Sequence, residues 1–291
     1  MLEYALLAGA IFGLYFALVG LGLNLVFGVM RIVNLAHGDF LMLGAFSAFG
    51  LFSLLRLNPL FSVAIVLTVF TLLGLPLYSL LVPRLLRAKD PEMLSLIFFF
   101  GLSQAIEAVA TIAFGPSERS IPGQIIGHGP AHLLGQGFPA AWIVSAIVSA
   151  AAVLGVYLYL YRSRLGHLTR AVMEDREEAL ASGIDVHKVS AAAFGLGIGL
   201  AGIAGVFSPF MLGSATPDMG VDLTIQSFTV IVIGSLGNPL GTVLGGIIYG
   251  VSLMFMETYF SSWANLLPYV LLMLILLVRP SGLLGRRVRR A

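Results

Sequence analysis

The chain has 291 residues, of which 58% are hydrophobic and only 10% are charged. Because a soluble domain covers its surface with about 25% charged residues, this composition excludes a globular protein in water and predicts that lipid surrounds most of the chain. The formal net charge is only +2, and the basic residues are scattered among the loops, so the chain lacks the basic patch that nucleic-acid binding requires. The lack of cysteine excludes disulfides and thiolate metal sites.

Apolar runs of membrane-spanning length recur along the whole chain. A helix needs about 20 apolar residues to cross the hydrocarbon core, and none of the runs shows the polar and apolar alternation of a barrel strand. We therefore predict an all-α polytopic membrane protein, with about eight to ten transmembrane helices, some of them discontinuous, in a single domain over residues 1–291. The runs lie at residues 5–30, 38–55, 60–82, 93–114, 140–161, 189–213, 222–236, 242–260 and 265–278.

The basic residues predict how the chain is oriented in the membrane. Nine crossings place the two chain ends on opposite sides. If the C-terminus is cytoplasmic, all of the 16 Lys and Arg residues except Arg56 and Arg119 are cytoplasmic too. Since basic residues near span ends stay in the cytoplasm, we predict an N-terminus outside and a C-terminus inside. The basic tail at residues 286–290 then acts as a topological anchor on anionic lipid headgroups.

Two polar interruptions separate apolar runs, one at residues 31–39 and one at residues 235–242. Non-helical backbone at membrane depth is tolerated only where it is buried in protein or lines a cavity. Paired interruptions in a transporter point to its permeation path. Either both line such a cavity, or both are tight turns at the cytoplasmic surface. Asn34, His37 and Asp39 offer more polar chemistry than a tight turn requires, so we favour the cavity.

The fourth run carries a polar stripe on one helix face, made by Ser103, Gln104, Glu107 and Thr111. An ionised acid at the centre of a span costs about 2.5 to 3.5 kcal/mol on insertion scales, so Glu107 should face the bundle. The side chains of this stripe either line the substrate path or make an interhelical hydrogen bond that fixes the packing of the helix. No second histidine lies at ligand spacing from His37, so no metal site is predicted.

Two hydrophilic loops are long enough to carry function. The loop at residues 115–139 is extracytoplasmic in this topology and rich in Gly and Pro, which is typical of a connector, with a lid or a docking surface as the alternative. The loop at residues 162–188 is rich in charge, yet Thr169 to Ser182 predicts a short amphipathic helix that Thr169 caps and Gly183 ends. Because an isolated helix of about 14 residues is marginal in water, it needs a surface to pack on, either its own bundle or a partner.

Small and polar residues inside the runs predict how the helices pack. Glycine pairs at four-residue spacing let helix backbones approach closely in lipid, and Asn24 and Gln226 are expected to join helices by hydrogen bonds. The chain has no Gly-x-x-x-x-Gly-Lys-Ser/Thr run, so a partner must handle any ATP. The glycine pairs are Gly9 and Gly13, Gly195 and Gly199, Gly241 and Gly245, and Gly246 and Gly250.

Several segments together resemble a known family. The run Glu177-Glu178-Ala179-Leu180-Ala181-Ser182-Gly183 resembles the Glu-Ala-Ala-x-x-x-Gly cytoplasmic loop of the membrane subunits of bacterial ABC importers, with Glu178 in place of the middle alanine. The runs 28–39, 170–175 and 234–241 are similar to the H-type permease of branched-chain amino-acid ABC importers. The resemblance implies the ABC importer permease fold. It also implies that Glu177, Glu178, Ala179 and Gly183 belong to a coupling helix seated on an ATPase.

The resemblance also implies the partners and the location of the chain. These are a second, non-identical permease subunit, two ATPase subunits, an extracytoplasmic substrate-binding protein and the bacterial inner membrane. The cargo would be a branched-chain or related small amino acid, and the chain would be neither an enzyme nor the holder of a cofactor. We place Asn34, His37, Asp39, Gln104 and Glu107 along the translocation path.

Two other functions remain open at this point. A self-contained secondary carrier, driven by an ion gradient, normally shows several intramembrane acidic or histidine residues that relay charge, and this chain offers few. A non-transporting scaffold or sensor would not need paired helix interruptions.

Overall fold

A computed structural model describes residues 1–285, so the predicted anchor at residues 286–290 lies outside the described residues. The described chain is a helical bundle, as predicted, and it also contains one small hairpin. Its elements are α1 (Leu2–Met30), α2 (His37–Leu55), α3 (Pro59–Leu86), α4 (Pro91–Phe114), β1 (Pro130–Leu133), β2 (Gln136–Pro139), α5 (Ala140–Arg162), α6 (Arg164–Glu174), α7 (Arg176–Ala181), α8 (Val186–Met211), α9 (Met219–Gly234), α10 (Pro239–Tyr259) and α11 (Leu267–Val278).

Within residues 1–285, eight helical segments are long and apolar enough to cross a membrane. They correspond to eight of the nine predicted runs, the last being α11 together with the 3-10 turn at Ser261–Leu266 that precedes it. The remaining run, at residues 222–236, forms α9, which is apolar but has only 16 residues. The structure therefore confirms a polytopic all-α protein and shows that one of its helices is shorter than a full span.

Two helices, α1 and α8, form the centre of the bundle. They are the most buried of the membrane-spanning segments, and they contact each other and most of the other long helices. By contrast, α3, α4, α5 and α11 expose many leucine, isoleucine and valine side chains at the periphery. An exposed apolar periphery is the arrangement expected of a chain whose solvent is lipid.

The glycine pairs lie where helices cross closely, as predicted. Gly9 and Gly13 of α1 lie against α10, and a Cβ atom built on Gly246 or Gly250 would overlap the α1 backbone. Gly195 and Gly199 of α8 lie in the same way against α3. Backbone contact of this kind replaces the hydrophobic drive that helices lack in lipid.

Helix starts follow simple capping rules. The α3, α4 and α10 helices each have proline in the first turn, where its missing N–H costs nothing. The side chains of Asn58, Asp90 and Asn238 cap them by accepting hydrogen bonds from first-turn amides.

One end of the bundle carries ten of the twelve described Lys and Arg residues, and we call it the basic end. It contains the last residues of α1, α3 and α5 together with α6 and α7. Only Arg56 and Arg119 lie at the opposite end. The described basic residues are Arg31, Arg56, Arg84, Arg87, Lys89, Arg119, Arg162, Arg164, Arg170, Arg176, Lys188 and Arg279.

The loop at residues 115–139 is folded onto the opposite end. It contains the β1–β2 hairpin, whose turn residues Leu134 and Gly135 both have positive φ angles, as in a type I′ turn. This hairpin was not predicted from the sequence. The backbone of Arg119 pairs in both directions with that of Ala215, and Phe138 is buried against Tyr4. The loop is therefore a packed connector, and its use as a lid or docking surface remains a prediction.

Candidate functional site

The first interruption folds back into the bundle. The left-handed residue Arg31 ends α1, and residues 31–36 then run without helical structure to His37. The Nε2–H of His37 donates to the carbonyl oxygen of Val19 at 3.2 Å. Val19 lies eleven residues before the end of α1, which is about 16 Å back along the helix. Residues 31–36 are therefore a re-entrant segment, and the alternative of a tight turn at the surface is wrong for this interruption.

The α9 helix holds the re-entrant segment through Thr224. The Gly38 amide donates to the Thr224 hydroxyl at 2.8 Å, and that hydroxyl lies 3.1 Å from the Leu35 carbonyl and 2.9 Å from the Gly220 carbonyl. A side chain at Gly38 would overlap the Gly220 carbonyl, so only glycine fits there. Thr224 was not among the predicted site residues, because nothing in its own helix distinguishes it from a threonine that bonds back to the preceding turn.

A cluster of polar atoms without partners surrounds the start of α2. Asn34, His37 and Asp39 are buried, yet Asn34 Nδ2 and His37 Nδ1 have no hydrogen-bond partner among residues 1–285. The Asp39 carboxylate faces Ser103 and Glu107 of α4. Buried polar groups are nearly always paired, so a cluster of exceptions calls for a functional explanation.

Of the five predicted path residues, the structure turns Asp39 and Glu107 toward each other, whereas the His37 side chain lies against Val19 and Gly22 of α1. Asn34, His37 and Asp39 lie at the start of α2, and Glu107 faces Asp39 from α4. Gln104 does not join them, because it lies on the exposed surface of α4. The predicted stripe is therefore divided between an inner face and an outer face of the same helix.

The second interruption is a satisfied turn rather than a second polar cavity. Asn24 of α1 donates from Nδ2 to the Asn238 carbonyl at 2.9 Å, to the Ser235 carbonyl at 3.4 Å and to the Thr242 hydroxyl. Its Oδ1 accepts from the Gly237 amide at 2.5 Å. The bonds confirm the prediction that Asn24 joins helices.

Gln226 behaves differently from Asn24. Its Oε1 is buried without a hydrogen-bond partner in the described part of the chain. No hydrogen bond to that oxygen joins helices within residues 1–285, so the expectation that Gln226 joins helices is not met at Oε1.

The predicted amphipathic helix at 169–182 is two helices, α6 and α7, separated at Asp175. Ser163, rather than Thr169, caps α6 by accepting from the Gly166 amide at 2.9 Å, and Thr169 is buried inside that helix. Asp175 caps α7, accepting from the amides of Glu177 and Glu178 at 2.8 and 2.9 Å. An aspartate three residues before a glutamate resembles a capping box, so the sequence did carry a signal for this break.

Gly183 ends α7 as predicted. Its φ angle is +80°, in the left-handed region that favours glycine. Its amide donates to the Leu180 carbonyl and the Ile184 amide donates to the Ala179 carbonyl, which together form a Schellman motif. Ala179 is buried against the bundle, whereas Glu177, Glu178, Leu180 and Gly183 are exposed.

Two arginines connect the surface helices α6 and α7 to the end of α1. The Arg31 guanidinium donates to the Met173 carbonyl of α6 at 3.1 Å. The Arg176 guanidinium of α7 lies 3.5 Å from both the Val29 carbonyl and the Ser190 hydroxyl. The re-entrant segment begins at Arg31, so α6 is hydrogen-bonded directly to the first residue of that segment.

Comparison with known proteins gives a match over most of the chain. A family model described as "Branched-chain amino acid transport system / permease component" matches residues 5–276. The high-affinity branched-chain amino acid transport system permease protein BraD of Pseudomonas aeruginosa is 29% identical over 97% of this chain and 95% of its own length. The corresponding permease protein LivH of Escherichia coli is 27% identical, covering 96% and 94%. No solved structure matches the chain.

A multi-pass helical bundle with a re-entrant segment and a tethered pair of surface helices defines a membrane permease subunit. The family match extends over nearly the whole described chain. The chain therefore belongs to the family of branched-chain amino acid ABC transport permeases, as the permease component of such a system, and is not itself catalytic. Membership implies the partners of an ABC system, and the alternatives of a secondary carrier and a scaffold are set aside.

Proposed function

We propose that this chain forms one half of the translocation path of an ATP-driven importer for branched-chain or related small amino acids. A second, non-identical permease subunit completes the path, two ATPase subunits drive it, and an extracytoplasmic binding protein delivers the cargo. The names of the relatives support this cargo. Two of the relatives, permeases named LivH and LivM from the same organism, Methanocaldococcus jannaschii, support a pair of distinct permeases.

In this proposal the basic end of the bundle is cytoplasmic, and the host membrane is a bacterial inner membrane. The support is the distribution of ten of the twelve described basic residues at one end, because such residues near span ends are retained in the cytoplasm. The N-terminus and the hairpin loop then lie outside, where a binding protein docks. The α6 and α7 helices lie inside, where ATPase subunits bind.

The substrate path runs past the start of α2 in this proposal. The observation that carries it is the buried Asp39 carboxylate, which faces Glu107 of α4, together with the unpartnered Asn34 Nδ2 and His37 Nδ1 atoms beside it in the chain. A zwitterionic amino acid has an ammonium group for carboxylates and a carboxylate for amide N–H groups, and both kinds of protein group are present around the start of α2. Gln104, on the outer face of α4, contributes from the surface that the second permease subunit would cover.

Replacing Glu107 by Gln is expected to lower uptake by about tenfold, which corresponds to the loss of one charge-assisted contact. Initial uptake rates in vesicles that contain the assembled complex measure the effect, with the melting temperature of the purified complex as a second readout. The matched control is Glu92→Gln, the same change in the exposed first turn of α4, which should leave uptake unaltered. Unchanged uptake with a lower melting temperature for Glu107→Gln would assign the residue to packing instead.

The coupling contact is the exposed face of α7 in this proposal. Glu177, Glu178, Leu180 and Gly183 present charge, an apolar side chain and a tight turn to the cytoplasm. Ala179 contributes from the opposite face, where its burial seats α7 on the bundle. Moving a conformational equilibrium from 1:99 to 99:1 takes about 5.5 kcal/mol, so the contact must be rigid. The Asp175 cap, the Schellman motif and the Arg176 contacts supply that rigidity.

Replacing Glu177 by Lys, or Gly183 by Trp, is expected to reduce substrate-stimulated ATP hydrolysis by about tenfold or more, because each disrupts the surface on which an ATPase would sit. The assay uses the assembled complex in vesicles, and membrane insertion of the chain is measured alongside. Gly213→Trp is the matched control, since Gly213 also has a positive φ and open space but lies at the opposite end of the bundle.

The same vesicles test the proposal as a whole. This chain alone should show no uptake under any ion gradient, and uptake should appear only with the second permease, the ATPases, the binding protein and ATP. Uptake by the chain alone, or full ATPase stimulation in both α7 variants, would contradict the proposal.

A further inference from the structure

A polar depression of about 560 Å³ lies at the basic end, away from the polar cluster of α2. Arg31, Arg170 and Glu174 line it, together with the turn between α9 and α10. The depression is open to the outside of the described chain, and its two arginines outnumber its one carboxylate. Neither the translocation path nor the exposed face of α7 uses this surface.

The Arg170 guanidinium is held in a fixed position in the depression. It lies 4.3 Å from the centre of the Tyr161 ring, and its Nε–H donates to the Leu160 carbonyl at 3.1 Å. Its Nη2 lies 2.8 Å from the Nδ1 atom of His167, which accepts the hydrogen bond. A guanidinium anchored on one edge in this way presents its remaining N–H groups to a ligand without further loss of side-chain freedom.

An apolar groove adjoins the depression. The groove has a volume of about 550 Å³ and runs between α1, α5 and α10. Leu14, Leu21, Val153 and Leu244 are among the side chains that line it, so it extends several helical turns away from the basic end. Pro239 and Leu284 line both the depression and the groove, so the two lie side by side and meet at these residues.

We propose that this combined site binds one anionic phospholipid. The phosphodiester lies between Arg31 and Arg170, next to the first turn of α10, where the helix dipole also favours an anion. One acyl chain lies along the groove between α5 and α10. A soluble anion would use the depression but not the groove, and a plain hydrocarbon would use the groove but not the arginines. A lipid with a negatively charged headgroup is the occupant that uses both.

The position of the site gives the lipid a structural role. The depression is lined by α6 residues on one side and by the α9–α10 turn on the other. A bound phosphodiester therefore bridges the surface helix α6 to a turn that Asn24 fastens to α1. The lipid would hold α6 in place independently of any ATPase, and this inference does not rest on the proposed cargo.

The test is native mass spectrometry of the full-length chain in detergent, titrated with dioleoyl phosphatidylglycerol or dioleoyl phosphatidylcholine. Phosphatidylglycerol is expected to bind at least tenfold more tightly than phosphatidylcholine. Arg170→Gln should weaken its binding by about fivefold, and the Arg31→Gln, Arg170→Gln pair by about 25-fold, in line with the contribution of a basic residue near a lipid surface. Arg87→Gln, an exposed arginine at the same end and outside the depression, is the control.

A second variant tests the groove without touching the arginines. Ala150 lines the groove, so Ala150→Phe should weaken dioleoyl phosphatidylglycerol but leave the short-chain dihexanoyl form unaffected. Ala151→Phe, at the neighbouring exposed residue of α5, should leave the binding of both lipids unchanged. The melting temperature of each variant without lipid shows whether it folds.

Three results would overturn the proposal. Equal binding of the two dioleoyl lipids would remove the headgroup site. Competition by inorganic phosphate at the same concentration as the lipid would reduce the site to one for a bare anion. Exclusion of phosphatidylglycerol from the assembled complex, with the second permease subunit seated on α5 and α10, would show that a protein fills the groove instead.

Discussion

Replacing Gly250 by Leu is expected to prevent α1 and α10 from packing, and so to cost at least about 3 kcal/mol of folding free energy. A Cβ at this position would overlap the backbone of Gly13 and the carbonyl of Gly9. Backbone atoms of a helix cannot move aside as a flexible side chain can, so the two helices must separate. Since helices in lipid associate through close packing rather than hydrophobic drive, separation removes the main attraction between them.

The measurement for Gly250→Leu is the melting temperature and the monodisperse fraction of the purified chain in detergent. Gly101→Leu is the matched control, because Gly101 lies on α4 with no atom within 4 Å of a Cβ built there. Leucine is also the better helix former, so this control should be neutral or slightly stabilising. Similar melting temperatures for the two variants would show that the close α1–α10 crossing does not limit stability.

Replacing Asn24 by Leu is expected to destabilise the bundle by about 2 to 4 kcal/mol. The change conserves volume but leaves the Gly237 amide of the part-buried turn without its partner, and it removes the Asn24 bonds to the Ser235 and Asn238 carbonyls. Each interhelical hydrogen bond in a membrane contributes about 0.6 to 1.7 kcal/mol, and an unsatisfied buried group adds its desolvation cost. Thermal unfolding of the purified chain measures the loss.

Gln226→Leu is the control for Asn24→Leu, since it makes the same kind of change at a side chain whose Oε1 has no partner among residues 1–285. Removing an unsatisfied buried acceptor should cost little or even stabilise the chain. Equal losses in the two variants would indicate that polarity alone, rather than the hydrogen bonds of Asn24, determines the effect.

Local chemistry made much of this fold predictable from the sequence. Apolar runs of spanning length became the helices, because lipid requires every backbone polar group to be satisfied within its own segment. Glycine pairs marked the close crossings, and Gly183 marked a helix end, because each of these roles depends on the residue itself. Most of the described basic residues lie at one end of the bundle, as their positions next to the apolar runs predicted.

The sequence alone could not predict that residues 31–36 form a re-entrant segment. The interruption at residues 31–39 was visible, but its depth depends on the contact of His37 with Val19 and on the hold of Thr224, which only the folded chain creates. Gln104 and Glu107 fit one helix stripe equally well, and the packing of α4 decided that only Glu107 faces inward. The sequence carried a capping signal for the helix break at Asp175. The break was nevertheless not predicted, because the amphipathic pattern continues on either side of it.

The Asn24 side chain holds the turn between α9 and α10, mainly by hydrogen bonds to main-chain atoms. Apart from the Thr242 hydroxyl, the partners of Asn24 are two carbonyls and one amide, which every residue other than proline can provide. The exposed Leu236 is therefore free to vary so long as the turn keeps its shape, whereas variation at Asn24 removes all of these hydrogen bonds. The two sides of this contact should therefore tolerate mutation unequally. Substitutions on the α1 side, at Asn24, should be tolerated less well than substitutions in the turn.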